Sequence, residues 1–103
     1  MTSHYGISVI VPTFQRCASV RRLLQALAQQ TIPADQFEVI VSIDGSQDGT
    51  LEMIQRFPAP DALRAIWQPN QGRAAARNAG IHASTGDLLV FLDDDMEPIP
   101  SFL

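Results

Sequence analysis

The chain has 103 residues, enough for one small domain with one core and too few for two. Its 46% apolar and 17% charged content fits a globular chain and excludes a disordered one, and no apolar run is long enough to span a bilayer. A net charge of −4, with all seven basic residues arginine and none lysine, excludes a P-loop and a Schiff-base lysine and argues against non-specific nucleic-acid binding. The start Met1-Thr2-Ser3-His4 has neither a basic nor an apolar segment of a signal peptide, and the single Cys17 excludes an internal disulfide. These features place the chain in the cytoplasm or at the inner face of a membrane.

Ile7 to Val11 is a short β-branched run stopped by Pro12, the pattern of a buried strand. Val20, Leu23, Leu24 and Leu27 then recur at helical spacing, with Ser19 in position to cap and Thr31-Ile32-Pro33 to terminate. Phe37 to Ile43 predicts a second strand, broken at Asp44-Gly45-Ser46. Thr50 is positioned to cap a helix carrying Leu51, Ile54 and Phe57, which Pro58-Ala59-Pro60 ends. Leu63 to Trp67 predicts a weaker, shorter third strand.

Gly72 to about Ser84 is alanine-rich, with Ala75, Ala76, Ala79, Gly80 and Ala83 forming a small-residue face suited to close packing on a sheet. Asp87 to Leu92 predicts the fourth strand. The order βαβαβαβ is that of an α/β fold, a Rossmann-like parallel sheet with alternating helices.

In a parallel sheet the strands deliver their C-terminal loops to one edge, where ligands bind. Those loops here are Pro12 to Arg16, Asp44 to Thr50, Asn70 to Arg73, and Asp93-Asp94-Asp95. Three successive carboxylates repel one another unless a cation gathers them, and Mg²⁺ or Mn²⁺ characteristically takes one or two carboxylates plus phosphate and water. The plain alternative for that triplet is a solvated acidic turn.

Asp44, an acid at a strand end, suits a base N–H or a ribose hydroxyl, whereas Asp48 and Thr50 suit the cap of the following helix. Arg73 and Arg77 stand four apart on one helix face near its N-terminus, where phosphate is attracted, and Arg77 is the stronger candidate. The alternative for both is a solvated surface arginine. His4 and His82 lack partners at ligand spacing, Trp67 and Phe91 read as core, and Glu97 reads as exposed.

These segments resemble family 2 inverting glycosyltransferases. Val9 to Arg16 is similar to their "VSVIIPTYNR" opening, Ile43 to Thr50 to "DDGSxDGT", Asn70 to Gly80 to "NxGxxxARNxG", and Gly86 to Asp95 to "GDxxxFLDxDD". Ile43 replaces the first acid of the usual pair and Gln15 the usual asparagine. The resemblance implies a GT-A fold in which residues 1–103 form the nucleotide-sugar-binding portion. It implies Mn²⁺ or Mg²⁺ at Asp93 and Asp95, the outer acids of a DxD motif, with Asp95 the direct ligand. It implies that Pro12, Thr13, Asp44, Arg77, Asp93 and Asp94 contact the nucleotide-diphosphate sugar, a UDP-sugar in preference to a GDP- or dTDP-sugar.

The acceptor, a saccharide or lipid-linked group, and the carboxylate acting as general base are expected beyond Leu103. The chain is thus expected to bind donor, to catalyse little alone, and to self-associate through its apolar last strand. Two competing classes fit less well. Nucleotidyltransferases of this shape place a glycine-rich phosphate loop after strand one, and receiver modules need an acid pair there and a late lysine; this chain has none of these.

Overall fold

The computed structural model describes residues 5–103. It contains β1 (Ile7–Thr13), α1 (Cys17–Leu27), a 3₁₀ turn (Ala34–Gln36), β2 (Phe37–Asp44), α2 (Thr50–Arg56), β3 (Ala62–Gln68), α3 (Arg73–Ala83) and β4 (Leu88–Phe91). The four strands form one parallel sheet in the order β3-β2-β1-β4.

The two faces of the sheet follow from the two-residue period of its strands. Val9 and Val11 of β1 and Phe37, Val39, Val41 and Ile43 of β2 join Val20, Leu23, Leu24 and Leu27 of α1 and Ile54 of α2 in the main core. The alternate residues face α3. Gly80 of α3 sits so close to the sheet that an added Cβ would come within 2.6 Å of Ile10 Cγ2 and 3.0 Å of Ser42 Oγ. The small-residue face expected of this helix is therefore what lets it approach.

Several local expectations are corrected. Pro12 does not stop β1, which runs on to Thr13 and pairs Pro12 with Ser42. On its other side β1 pairs with β4 only as far as Ile10, whose carbonyl accepts the Leu92 N–H at 3.1 Å. By strand alternation the missing N–H of Pro12 points to that side, beyond the end of β4, where no ladder bond is lost. Strand β3 is not short: it has 7 residues and pairs along its whole length with β2.

Ser19 does not cap α1. It lies inside the helix and accepts from Arg22 Nη2 at 3.2 Å. Asp48 takes the capping role from 31 residues away, accepting the Cys17 N–H on Oδ2 at 3.0 Å. The same carboxylate accepts the Thr50 N–H on Oδ1 at 3.2 Å, so Asp48 serves two helix N-termini and Thr50 is the first helical residue rather than the cap. Trp67 and Phe91 are half-exposed rather than core. His82 is exposed, and His4 lies outside the described residues.

At the N-terminal edge of the sheet, away from the acidic loops, Glu38 is buried with 2% of its surface exposed. Its Oε2 accepts from Ser8 Oγ at 2.6 Å, Thr85 N–H at 2.8 Å and Thr85 Oγ1 at 2.9 Å, and its Oε1 accepts from Arg64 Nη2 at 2.9 Å. Arg64 also donates to the Ala83 carbonyl at the end of α3. One carboxylate thus ties β1, β2, β3 and the α3–β4 turn. Gly86 completes the seam, donating to Ser8 Oγ at 2.8 Å. A Cβ at Gly86 would come within 2.6 Å of the Ser8 backbone nitrogen.

Two expectations follow. Gly86→Ala forces backbone apart in a packed seam and should cost about 1–3 kcal/mol, read as a fall in melting temperature with the fold retained. Burial pushes the Glu38 carboxyl up, but the bonds from Ser8, Thr85 and Arg64 outweigh it and hold the group below its ordinary 4.5. Its folded value is the lower one, so its contribution is complete above pH 4.5 and is lost as pH falls through the depressed folded value. Glu38→Gln should therefore be less stable at neutral pH and lose less stability on acidification, as measured by urea melts from pH 7 to 3.

Candidate functional site

The C-terminal ends of the strands gather the loops that carry the unusual residues. A cavity of about 260 Å³ opens there, lined by Pro12, Thr13, Phe14 and Arg16 after β1, Asp44 at the end of β2, Arg73 and Ala76 of α3, and Asp94 after β4. Beside it lies a second cavity of about 150 Å³, lined by Pro12, Arg73, Arg77, Phe91, Leu92, Asp93 and Met96.

Asp44 is nearly buried, and its carboxylate accepts three hydrogen bonds. Oδ1 accepts the Gln71 N–H at 2.7 Å and Gln68 Nε2 at 3.1 Å, and Oδ2 accepts the Gly72 N–H at 2.9 Å. Asn70 Nδ2 donates to the Asp44 carbonyl at 3.2 Å. Burial raises the affinity of this carboxyl for its proton, but the donors from Gln71, Gln68 and Gly72 reverse that and hold it below the usual aspartate range. Asp44 is thus an anion that fixes the entry to α3, and Oδ2, with one protein donor, keeps acceptor capacity on the wall of the cavity.

The first and second loops are clamped together. The Gln15 N–H donates to Ser46 Oγ at 2.7 Å, and Gln15 Oε1 accepts the Gln47 N–H at 2.5 Å. Gln15 holds the left-handed conformation, with φ of 55°, which asparagine adopts more readily. Trp67 braces the same loop by donating Nε1–H to the Ser46 carbonyl at 3.0 Å. Ile43, standing where an acid is usual, is fully buried in the core.

The acidic run divides into three environments. Asp94 is buried and accepts from Thr13 Oγ1 at 2.8 Å, with Arg16 Nε 3.8 Å from its other oxygen. Asp93 is exposed and forms an ion pair with Arg73. Asp95 is exposed and has no hydrogen bond or ion pair among the described residues. Among the described residues no group of three or more metal-ligating side chains gathers. The donor set of Asp93 and Asp95 nevertheless fits a hard cation of the Mg²⁺ or Mn²⁺ kind, which takes one or two carboxylates and completes its shell with phosphate and water.

Pro12, Thr13, Asp44 and Asp94 therefore share the main cavity, while Arg77 and Asp93 line the second. Arg77 places its guanidinium carbon 5.9 Å from the centre of the Phe91 ring. Glu97 is exposed and 3.6 Å from Arg22. The structure adds Phe14, Arg16 and Arg73 to the site. Their position in the loops was visible in the sequence; their convergence required the sheet.

Parallel order, helices on both faces and an acid-rich C-terminal edge make this a Rossmann-like α/β fold of the GT-A kind. Residues 8–103 match the profile of glycosyl transferase family 2, and the chain belongs to that family. It is 40% identical over 99 residues to glycosyltransferase AglE of Haloferax volcanii, covering 94% of this chain and 33% of that protein. It is 36% identical over 105 residues to a validoxylamine A glucosyltransferase of Streptomyces hygroscopicus subsp. jinggangensis, covering 99% of this chain and 25% of that protein.

Among solved structures it resembles S. aureus TarS 1-349 in complex with UDP, with a TM-score of 0.86, 30% identity, and coverage of 92% of this chain and 29% of that one. It also resembles the mannosyltransferase PcManGT from Pyrobaculum calidifontis in complex with GDP-Man and Mn²⁺, with a TM-score of 0.81, 30% identity, and coverage of 91% and 28%. The chain spans a quarter to a third of the length of these relatives. Membership of the family sets aside the nucleotidyltransferase and receiver readings. Among the described residues no helix is long and apolar enough to cross a membrane.

Asp44→Ala should loosen the 70–73 loop, whose N–H groups it holds, and is expected to weaken nucleoside diphosphate binding with it, since Oδ2 keeps acceptor capacity on the cavity wall. Loss of one charged hydrogen bond should cost about 1.5–3 kcal/mol in affinity, read by calorimetry, with a moderate fall in melting temperature. Unchanged affinity with a collapsed melt would reduce Asp44 to a structural role.

Proposed function

We propose that this chain is the donor-binding portion of a metal-dependent, inverting glycosyltransferase that moves a sugar from a nucleotide-diphosphate donor to an acceptor hydroxyl. The observation that carries this reading is the meeting of Thr13, Phe14, Asp44, Arg73 and Asp94 in one cavity, with Arg77 and Asp93 on the wall of the cavity beside it. The UDP and GDP-Man complexes of the similar structures support the nucleotide-sugar assignment, and the Mn²⁺ in one of them supports the metal.

In this reading Asp44 Oδ2 accepts from the base or the ribose, and half-exposed Phe14 offers its ring face to the base. Asp94, held by Thr13, orients the ribose side of the cavity. Arg77 meets the diphosphate, where a guanidinium pairs with two oxygens at once. Asp95, with Asp93, holds Mn²⁺ or Mg²⁺, which when bound neutralises charge on the departing diphosphate. Inversion requires a base to take the acceptor proton as the hydroxyl attacks, and that carboxylate is assigned to a part of the protein outside residues 1–103. The acceptor, a saccharide or a lipid-linked group, belongs there too. A UDP-sugar is favoured, and we place the enzyme in the cytoplasm or on the inner face of the membrane.

Calorimetry with UDP and GDP, each with and without Mn²⁺, tests this. UDP should bind more tightly with Mn²⁺ present, and Asp95→Asn should remove most of that gain. Equal binding by Asp95→Asn and the parent chain would sink the metal assignment. Phe14→Ala should weaken UDP by about 1–3 kcal/mol if the base stacks there.

The chain as it stands also carries an apolar border. Leu88 and Phe91 of edge strand β4 are 57% and 48% exposed, and Met96, Ile99 and Phe102 are exposed beyond them. Exposed apolar side chains on both faces of an edge strand favour association with another chain. Self-association at low micromolar concentration is therefore expected in sedimentation, and a monomer with a cooperative melt would contradict it.

A further inference from the structure

Arg73 stands at the boundary between the two cavities. Among their walls only Pro12 and Arg73 are shared, and Pro12 is fixed in the sheet. Arg73 is the first residue of α3, directly after Gly72, whose N–H is held by Asp44. Its backbone is thus anchored while its guanidinium reaches across to Asp93 after β4. Both side chains of this pair are about two-thirds exposed, at 65% and 64%. An ion pair so exposed contributes little to stability and is readily exchanged.

Size makes the exchange consequential. Small-molecule sites run from roughly 300 to 1,000 Å³. At about 260 and 150 Å³ each cavity falls short alone, and joined they come within that range. Charge points the same way, because Asp93 cannot serve a cation fully while its carboxylate is neutralised by an arginine.

We infer that the Arg73–Asp93 ion pair is a latch across the donor site: a nucleoside diphosphate draws Arg73 onto its phosphate oxygens, which joins the cavities and releases Asp93 to a divalent cation. This rests on the donor-binding reading above and adds to it a specific coupling between the two ligands. Before nucleotide arrives, Arg73 opposes the cation. Once nucleotide is bound, the same residue has moved to the phosphates and the opposition is gone. Binding of one ligand therefore favours the other, and by linkage the factor is the same in either order. Arg77, whose guanidinium lies over Phe91 rather than on an acid, does not gate the cation in this way.

The test separates the two ligands. Mn²⁺ binding without nucleotide is followed by the electron paramagnetic resonance of the free ion, and UDP binding without metal by calorimetry. Arg73→Ala should bind Mn²⁺ alone more tightly, by up to roughly fivefold, the ceiling for releasing an exposed ion pair. It should bind UDP alone about tenfold more weakly, having lost a charged phosphate contact. The factor by which Mn²⁺ improves UDP binding should fall accordingly.

Arg73→Lys, which keeps the charge without the planar fork, should lie between Ala and the parent. Arg56→Ala, which removes a charge from the distant end of α2, should change neither affinity. Melting curves establish that each variant is folded. Affinities for Mn²⁺ and UDP that fall together in Arg73→Ala, that both stay unchanged, or that Arg56→Ala reproduces would overturn the latch. If the parent chain binds UDP with Mn²⁺ and Arg73→Ala matches it throughout, the latch fails and the donor-binding reading stands. A parent chain that binds neither ligand overturns both.

Discussion

The carboxylate of Asp44 is the constraint on which the arrangement of the ligand edge depends. A nearly buried anion must be satisfied, and here the donors come from one short stretch, Gln68 to Gly72. Because Asp44 ends β2 and Gly72 precedes α3, satisfying the charge sets where α3 begins. That start positions Arg73 over Asp93 and sets the first turn of the helix, with Ala76, against the cavity. The asparagine at position 70 adds a bond to the Asp44 carbonyl, so side chain and main chain of one residue hold the same loop. An apolar residue at 44 would leave these N–H groups without an acceptor.

The rest of the edge uses the same economy. Asp48 holds the first turns of α1 and α2 at once, which ties the starts of the two helices together. Gln15 and Ser46 lock the loops after β1 and β2 into one unit. Asp94 joins that unit to the end of β4 through Thr13. Hydrogen bonds therefore tie four separate strand ends together, and Phe14, Arg16, Arg73, Arg77, Asp93 and Asp95 are among the residues left exposed on that rim. These are the groups with the freedom to meet a ligand.

How much of this was legible in the sequence depended on the range of the interactions. The β-branched runs of β1 and β2 and the helical spacing of Val20 to Leu27 depend on neighbours along the chain, and they predicted the core directly. The convergence of the loops followed from parallel order alone. Ser19 was misread because a local cap candidate was overruled by Asp48, which only the folded chain brings near. Pro12 was misread as a stop because the end of β4 is a tertiary fact. Trp67 and Phe91 were assigned to the core by residue type, yet they lie at the ends of the two edge strands, Trp67 on the α2 face of the sheet and Phe91 on the α3 face, where cover from the helices runs out. Arg73 and Arg77 share a face at helical spacing, and no local signal separates them. The register of β4 against β1 is what sets one beside an acid and the other over a ring.

The buried Glu38 cluster lies at the far end of β2 from Asp44, roughly 20 Å away at the usual rise per strand residue. It joins the strand bottoms with no residue drawn from the ligand rim. The molecule is therefore modular along its strand axis. Loops at the upper edge can diverge in length and chemistry while the lower edge keeps the sheet in register. Variation at the lower edge would instead show itself as altered abundance in the cell with substrate preference intact. The two kinds of change are separable because the strands between them are filled by side chains that answer only to packing.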